Sequence, residues 1–448
     1  RIFMLKKKIV ASAVLGSLIV SLFTGCSFTA KKEATEIYFL SCKPEVKAVW
    51  EEVSEAYEKE TGVKLKVLTA ADGNHERTLK AELAKKDSPT MFQINGPVEY
   101  QKWKNYCLDL SGTDLYSWML DKNMAVTDGS GVYGIPYVVE GYGIIYNQAI
   151  MDKYFALSGR ATTYTSVDEI NDFAKLKEVA EDMQAHKSEL GIEGVFASTS
   201  FAPGENWRWQ THLLNIPMYY EFKDKGVSDS DTFDFTYSNN YKSILDLYMD
   251  NSCTDKSDLG NKTVEDSMSE FAQGKVAMVQ NGNWGWTQIE SADGNVVSED
   301  QVKYMPIYTG MPDEENQGLC IGTENYICIN SQVSEEKQQA SIDFLEWLYS
   351  SDEGKAFVTN EFGFIPPFNT FDESEYPANP LAKEVLNYMN DSSKESISWN
   401  FVAMPSQTFK DDLGTNLLSY ATGELDWNSL VNMTKAEWAS EKQKEGEE

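Results

Sequence analysis

Hydrophobic and polar positions along the chain alternate between two periods, and the alternation predicts strands and helices in turn. Near the start, EIYFLS at 36–41 is short and apolar, as a buried strand is. The stretch 44–62 then places Pro44 in a first helical turn and Gly62 at the helix end, and VKLKVL returns to a strand-like pattern. A strand, a helix and a strand in succession predict a parallel sheet. The apolar positions of this helix recur at helical spacing: Val46, Val49, Val53 and Tyr57.

The same succession continues through most of the chain. Helices are expected at 76–86 and in SVDEINDFAKLKEVAEDMQAH, where Ser166 and Glu169 have the spacing of a capping box, and Thr263 with Asp266 starts a later helix. Strands are expected at PTMFQI, GIIYN and NYICIN. The sequence has no repeat of fixed period and no low-complexity linker. Because 448 residues usually form two domains or more, we predict an α/β fold of two lobes whose sheets exchange segments.

One segment, FAQGKVAMVQNGNWGW at 271–286, combines a buried strand with turn residues and two tryptophans. Gly274 ends the preceding helix, and KVAMVQ then crosses a sheet. NGNWGW therefore lies at the carboxyl end of a strand, where ligand crevices form in open α/β sheets. An indole there presents a flat apolar face on which a sugar ring stacks, which makes Trp284 a candidate platform. Packing in the core beneath the loop is an even alternative, and it is slightly favoured for Trp286.

The amino-terminal stretch is typical of an export signal. Three consecutive lysines precede an uncharged apolar run at 9–23, which is too short and wrongly flanked for a membrane span. The run ends in LFTGC, which resembles the bacterial lipoprotein signal, although Phe23 stands where leucine is usual. We expect residues 1–26 to be this signal, with Cys26 as the lipidated residue, and 27–35 to be a polar tether. An ordinary cleaved signal with an incidental cysteine is the alternative.

Charge and cysteine content narrow the classes of partner. The chain has 70 acidic and 39 basic residues and a formal net charge of −31, so its surface repels nucleic acid and anionic headgroups. The cysteines after Cys26 lack the spacing of a metal site. Export would allow Cys320 and Cys328 to pair, but we expect mostly free, buried thiols.

Several motifs of enzymes and metalloproteins are missing from the sequence. His75, His186 and His212 are far apart, and NHERTLK has no second histidine to complete a zinc-protease helix. The chain contains no Cys-x-x-Cys pair, no GxxxxGK(S/T) phosphate loop and no GxSxG nucleophile turn. We therefore predict no catalytic residues, no metal and no cofactor, and we interpret each histidine as a surface or packed residue.

The pattern FxxGKxAMxxxGxW at 271–284 resembles the signature segment of family 1 extracellular solute-binding proteins, the receptors of bacterial ABC importers. Maltodextrin-binding members are the best comparison. Further segments agree in order from about residue 36 to 370: EKETGVKLKV, PTMFQINGP, GIPYVVEGYGIIYN, FLEWLYSSDEGKAF and FGFIPPFN.

The resemblance implies a two-lobe, periplasmic-binding-protein-like (Venus-flytrap) α/β fold with three interdomain crossings. The crossings are expected near 140–145, 304–310 and 365–370. Lobe 1 is then expected at 36–140 and 308–364, and lobe 2 at 145–303 and 370–445.

The resemblance also implies roles for individual residues. Trp284 matches the indole that stacks on a bound sugar. Glu140 matches a carboxylate that accepts hydrogen bonds from sugar hydroxyls, with a solvated loop charge as its alternative. Trp207 or Trp209 falls where lobe 2 supplies another aromatic wall, and both point to the same side if GENWRWQ is a strand. The remaining candidate ligand-binding residues are Lys43, Glu45, Asn95, Asn283, Trp286 and Trp399.

These features predict a receptor rather than an enzyme. The expected protein is a monomeric lipoprotein on the extracellular face of the cell membrane, which captures a neutral oligosaccharide and delivers it to ABC transporter permease subunits. A maltodextrin is favoured, although NGPVEY after PTMFQI departs from the maltodextrin pattern. A glycoside hydrolase, with two carboxylates roughly 5–10 Å apart, is one alternative. A peptide or amino-acid receptor is the other, with Lys43 or Arg208 as the cation for a ligand carboxylate.

Overall fold

The computed structural model of the chain describes residues 35–70 and 72–445. The predicted signal, Cys26 and the tether up to residue 34 lie outside the described residues. None of the described helices is long and apolar enough to cross a membrane.

The strands and helices follow the alternation that the sequence predicted. The strands are β1 Glu36–Ser41, β2 Lys64–Thr69, β3 Met91–Ile94, β4 Val126–Asp128, β5 Gly131–Pro136, β6 Glu140–Asn147, β7 Gly194–Phe196, β8 Val276–Gly282, β9 Val302–Met305, β10 Gln317–Gly322, β11 Tyr326–Ile329 and β12 Glu395–Ile397. The α-helices are α1 Lys47–Thr61, α2 Asp72–Leu83, α3 Pro97–Trp103, α4 Asp114–Trp118, α5 Gln148–Phe155, α6 Phe173–Ala185, α7 Lys187–Leu190, α8 Asn215–Lys225, α9 Ser238–Asp250, α10 Val264–Ala272, α11 Trp286–Glu290, α12 Glu335–Ser350, α13 Asp352–Ala356, α14 Pro380–Asn390, α15 Gln407–Ala421 and α16 Trp427–Glu445.

The first sheet forms lobe 1 and has the strand order β2-β1-β3-β11-β5-β4. β1 pairs in parallel with β2 and β3, as the strand–helix–strand pattern predicted, whereas β11 runs antiparallel to both β3 and β5. All four residues of β3 are buried, as expected for a strand covered on both faces. Trp50 of α1 packs under β1, with its ring centroid 5.2 Å from that of Phe39.

The second sheet forms lobe 2 around β6, whose eight residues are all buried. Its strand order is β12-β10-β6-β8-β7, and β9 also pairs with β6. β8 pairs with one edge of β6. At the other edge, β10 pairs with the first half of β6 and β9 with the second half. The carboxyl end of β8 therefore lies beside the start of β6, where the chain enters this lobe.

The first two crossings between the lobes lie where the chain changes sheet. The first is at 137–139, between β5 and β6, and the second is at 323–325, between β10 and β11. The prediction of a crossing at 304–310 is wrong, because β10 pairs with β6 and β12 of the second sheet. Residues 308–322, which the prediction placed in lobe 1, therefore belong to lobe 2.

The third crossing follows a pair of bridges to lobe 1 and to the first crossing. Ile365 bridges to Val139 and Phe368 to Met119. The chain then reaches α14, which packs on β6 and β9 of lobe 2. Thr370 is still bound to lobe 1, where its hydroxyl donates to the Tyr349 carbonyl at 2.5 Å, and Glu375 pairs with Lys355 at 2.7 Å. The crossing therefore lies after Glu375 and before α14, so the prediction of a crossing at 365–370 is wrong.

Cap geometry decides two of the predicted helix starts. Thr263 and Asp266 form the predicted capping box, in which the Asp266 N–H donates to Thr263 Oγ1 at 3.1 Å and the Asp266 carboxylate accepts from the Thr263 N–H at 2.9 Å. The prediction for Ser166 and Glu169 is wrong. Glu169 accepts a hydrogen bond from the residue before Ser166, and α6 starts later, after Asp172.

Cys107, Cys253, Cys320 and Cys328 are free thiols. Cys320 lies in β10 and Cys328 in β11, so they occupy different sheets and do not pair. Burial, partly offset by a hydrogen bond with Tyr142, raises the pKa of the Cys320 thiol to about 12. A thiol protonated at neutral pH is a poor nucleophile, so Cys320 is a packing residue.

Gly194, the first residue of β7, lies directly against the backbone of Ser252 and Cys253. A Cβ at this position would be 2.3 Å from the Cys253 nitrogen, which cannot rotate away as a side chain does. We predict that Gly194→Ala lowers the free energy of unfolding by about 2 kcal/mol, as measured by urea denaturation. Gly112→Ala is the control, because Gly112 has open space around the position of a Cβ. Equal losses in the two variants would contradict the prediction.

Candidate functional site

A buried ion pair joins the two lobes at the first crossing. Lys43 follows β1 and Glu140 begins β6, and the Lys43 Nζ lies 2.7 Å from Glu140 Oε1. The two side chains are only 9% and 5% exposed. Glu45 places a second carboxylate oxygen 3.0 Å from the same Nζ. The structure thus brings three of the predicted ligand-binding residues together, and they bind one another.

The second oxygen of Glu140 also has a partner. Asn325, at the second crossing, donates from Nδ2 to Glu140 Oε2 at 2.8 Å. Its Oδ1 accepts from Gln93 Nε2 at 2.8 Å, and Gln93 Oε1 accepts from the Tyr137 hydroxyl at 2.7 Å. We call Lys43, Glu140, Asn325, Gln93 and Tyr137 the hinge network. Glu140 is therefore not the solvated loop charge that the sequence left open, because all five side chains are buried.

The hinge network holds a fixed positive charge at Lys43. Burial alone would lower the pKa of Lys43, but the nearby carboxylates of Glu140 and Glu45 outweigh it and raise the pKa above its ordinary value. Lys43 therefore stays protonated at physiological pH. A buried ammonium group is tolerated only with such partners, so the three charges depend on one another.

Next to the hinge network, lobe 2 presents a group of aromatic side chains around Trp284, which lies just past β8. Its ring centroid is 6.2 Å from that of Trp207, 5.5 Å from His212 and 6.4 Å from Trp399. Gly282 permits this arrangement, because a Cβ there would lie 2.1 Å from the Trp284 ring. We call the following residues the aromatic cluster: Trp207, His212, Trp284, Trp399 and Phe401.

The local backbone directs the side chains of Trp207 and Trp209 to different parts of lobe 2. The stretch Arg208–Leu213 is a π-helix rather than a strand, so the alternation considered from the sequence does not apply. Trp209 is buried in the lobe 2 core, where its Nε1 donates to the Ser200 carbonyl at 2.9 Å. Trp207 is partly exposed and packs against Trp284. The assignment of Trp209 as a ligand-binding residue is therefore corrected to a core role, and Trp207 is the one that belongs to the cluster.

Two other predicted residues of the NGNWGW segment have structural contacts. Trp286 is buried in a core of lobe 2, where it packs with Ile289, so its alternative as a core residue is the correct one. Asn283 is also buried, with Oδ1 accepting from the Gly141 N–H at 2.8 Å and its carbonyl accepting from Asn379 Nδ2 at 2.9 Å. Asn283 thus fixes the aromatic cluster to the start of β6, directly beside Glu140.

His212, Trp399 and Phe401 are the buried members of the aromatic cluster. The His212 imidazole stacks on Tyr142 with the ring centroids 4.4 Å apart. Burial, and then the positive charges of Lys410 and Arg208, lower the pKa of His212 to about 3. His212 is therefore a neutral aromatic ring at physiological pH. The Trp399 Nε1 is buried without a hydrogen-bond partner among the described residues.

A cavity of about 400 Å³ lies between the lobes beside the aromatic cluster. Asn95, after β3, lines it from lobe 1, and Phe401 lines it from lobe 2. The lobes touch at its edge, because a Cβ on Gly96 would lie 3.2 Å from Val402 Cβ. Its volume is within the range of small-molecule sites.

The hinge network, the aromatic cluster and the cavity form one continuous site. The Sγ of Cys42, the residue before Lys43, lies 3.8 Å from Asn95 Oδ1. Asn95 in turn lines the cavity. Phe401 lines the cavity as well, and its ring centroid is 5.0 Å from that of Trp399. Apolar ring faces and polar groups therefore lie together between two lobes, which is an arrangement for binding.

Some residues of this site were missed by the sequence analysis. His75 lines the cavity and His212 belongs to the aromatic cluster, and both are buried, which agrees with their interpretation as packed residues but adds their place in the site. Phe401 stands two residues after Trp399 in ISWNF, and this spacing was the only signal for it. Within 35–70 and 72–445, no group of three or more His, Cys, Asp or Glu residues is arranged to hold a metal ion.

Removal of the Glu140 charge tests the hinge network. We predict that Glu140→Gln lowers the free energy of unfolding by about 3 kcal/mol, because it leaves the buried Lys43 ammonium with only Glu45, whose side chain is 26% exposed. Urea denaturation measures the loss. Glu52→Gln, on the exposed side of α1, is the control and should have almost no effect. A loss below about 1 kcal/mol for Glu140→Gln would contradict the proposed dependence.

The lowered pKa of His212 predicts a dependence of stability on pH. Below about pH 6.5 the unfolded chain protonates at His212, whereas the folded chain does not until about pH 3. This residue should therefore contribute a loss of about 1.4 kcal/mol per pH unit on acidification through that window. His212→Gln should remove this part of the slope in urea denaturation series.

His186→Gln is the matched control for this pH series. Hydrogen bonding to the Asp182 carbonyl, with the Asp182 carboxylate adding to it, raises the pKa of His186. Protonated His186 therefore favours the folded state, and its removal should change the slope in the opposite direction. Slopes that change in the same direction in both variants would contradict the assignment.

The fold matches those of solved sugar-binding proteins at low sequence identity. A chitin oligosaccharide binding protein superposes with a TM-score of 0.69 and 17% identity over 92% of this chain and 99% of its own. Maltose-bound MalE3 of T. maritima superposes with a TM-score of 0.65 and 16% identity, over 90% of this chain and 99% of its own. A sugar transporter from Bacillus licheniformis in complex with stachyose superposes with a TM-score of 0.65 and 16% identity, over 91% of this chain and 100% of its own. These likenesses show that the two-lobe α/β fold predicted from the sequence is correct.

A family model matches the sequence itself over residues 52–384, well over half of the chain, and it describes a bacterial extracellular solute-binding protein. The matched range includes Glu140, Trp207 and Trp284, and it ends within α14. The resemblance found in the FxxGKxAM segment is confirmed. The chain belongs to the bacterial extracellular solute-binding proteins.

Proposed function

We propose that this chain is the receptor of a bacterial ABC importer and that it binds an oligosaccharide between its two lobes. The observation that carries the proposal is the partly exposed Trp284, held between Trp207 and Trp399 in the aromatic cluster, which reaches the interlobe cavity through Phe401. Sugar rings stack on indoles through their apolar faces, while their hydroxyls need polar partners nearby. Asn95 supplies a polar group on the lobe 1 side of the adjoining cavity.

The solved relatives support a carbohydrate ligand. Their names specify chitin oligosaccharide, maltose and stachyose as what those proteins bind. For this chain, a neutral oligosaccharide of the maltodextrin type remains the prediction from the sequence resemblance.

The same proposal includes location and partners. The family is extracellular, and we propose that a lipid on Cys26 anchors the chain to the outer face of the cell membrane. The loaded protein then docks as a monomer on the permease subunits in that membrane. Binding that favours the closed form over the open form is sufficient for such delivery, without any chemical step.

The peptide-receptor alternative loses both of the cations suggested for it. Lys43 is already bound by two carboxylates. Arg208 is fully buried inside lobe 2, where it donates to the Gln280 carbonyl at 2.9 Å and to two serine hydroxyls. Neither side chain is placed to receive a ligand carboxylate.

Replacement of Trp284 tests the oligosaccharide proposal. Calorimetric titration of residues 27–448 with an oligosaccharide panel, α-glucans first, should give saturable binding to at least one sugar. Trp284→Ala should weaken that binding by about tenfold or more, because the central ring of the cluster is lost. Trp347→Ala is the matched control, since Trp347 is a partly exposed indole on lobe 1 that packs against Tyr57, away from the cavity.

The outcomes separate the candidate functions. Binding with intact sugar after the titration supports a receptor. No heat with any sugar, from protein shown to be folded, would overturn the oligosaccharide proposal. Cleaved sugar in the recovered samples would favour the glycoside hydrolase instead.

A further inference from the structure

The interlobe cavity carries positive charge that a neutral sugar would leave unused. Arg77 and Lys80 of α2 line it from lobe 1, and Lys410 of α15 lines it from lobe 2. Within the part of the chain that the structure describes, none of the three forms an ion pair with a carboxylate. Three cations from two facing lobes therefore border one space.

The carboxylates of the same cavity do not cancel this charge. Glu76 pairs with a fourth lining cation, Lys102, at 3.2 Å. The Glu99 carboxylate accepts the Asn95 N–H at 2.6 Å, and Glu324 is the third acidic residue of the wall. Among the residues that the structure describes, the wall thus has four cations against three carboxylates, in a chain whose net charge is −31. Positive charge on the wall of a cavity attracts a ligand of the opposite charge.

His75 adds a buried polar group to the wall. It is 1% exposed, and its Nε2 lies 2.8 Å from the Gln93 carbonyl, which requires a hydrogen on Nε2. Its Nδ1 is buried and has no hydrogen-bond partner among the described residues. In the neutral ring this nitrogen is an acceptor, and a sugar hydroxyl is a donor of the right kind. A residue of the cavity wall therefore holds a buried acceptor nitrogen that has no partner among the described residues.

We propose that the ligand is an acidic oligosaccharide, one that carries a carboxylate on a uronic acid unit. Its rings stack on the aromatic cluster, and its carboxylate lies among Arg77, Lys80 and Lys410. The inference rests on the proposed function and replaces the neutral glucan by an anionic sugar of the same class.

Two physical reasons favour this ligand. Hydrogen bonds from cations to a carboxylate are charge-assisted and stronger than those to a neutral hydroxyl. A carboxylate held by α2 and α15 together also connects the two lobes, so it stabilises the closed form more than the open form. Phe401 links the two parts of the site, because it lines the cavity and packs on Trp399 and His212.

Matched pairs of sugars test the proposal. Residues 27–448 are titrated calorimetrically with trigalacturonate and its methyl ester, with xylotetraose bearing or lacking a 4-O-methylglucuronic acid branch, and with maltotetraose. At about 50 mM salt, an acidic sugar should bind at least tenfold more tightly than its neutral partner, and the advantage should shrink at about 500 mM salt.

Variants assign the advantage to the cavity. Lys80→Gln and Lys410→Gln should each reduce the preference for the acidic sugar several-fold. Lys86→Gln in lobe 1 and Lys435→Gln in lobe 2, both exposed lysines outside the cavity wall, should leave it unchanged. Circular dichroism confirms that each variant is folded.

Each result has one meaning for the proposal. An acidic preference that falls in Lys80→Gln and Lys410→Gln supports it. A neutral sugar that binds as tightly as its acidic partner, or a preference that both cavity variants retain, overturns it and leaves the proposed function standing. Silence with every sugar overturns the proposed function, and the acidic ligand with it.

Discussion

The buried pair of Lys43 and Glu140 is the interaction on which the geometry of the site depends. One charge follows the first strand of lobe 1, and the other begins the central strand of lobe 2. Neither charge is stable in the interior without the other, so the first crossing is held in one arrangement. Asn325 extends the same constraint to the second crossing through its bond to Glu140. The two lobes are therefore joined at their hinge by satisfied polar groups.

Because the hinge is held in one arrangement, the contacts between the lobes can change only on the side of the cleft away from the hinge. There the lobes meet through lighter contacts, such as Gly96 against Val402, beside an open cavity. A hinge that is strongly bonded and a mouth that is weakly bonded is what closure around a ligand requires, because the ligand then supplies the missing contacts.

The local elements of this fold were predictable, whereas the long-range pairings were not. Periodicity located β1, α1 and β8, and the Thr263 cap was visible because it needs only residues close in sequence. β10 was placed in the wrong lobe because sheet membership depends on partners far along the chain. Trp209 was misassigned for a related reason, since a π-helix and a strand direct the residues of GENWRWQ differently.

The candidate site divides in the same way. Trp284 was identified from its segment, but its neighbours His212 and Phe401 come from distant stretches and carry no motif. The division also has a physical consequence. The stacking rings all belong to lobe 2, whereas His75, Arg77 and Lys80 belong to lobe 1. A ligand that touches only the rings would gain nothing from closure. Only a ligand that reaches the polar wall of lobe 1 distinguishes the closed form from the open one, so selectivity and closure depend on the same contacts.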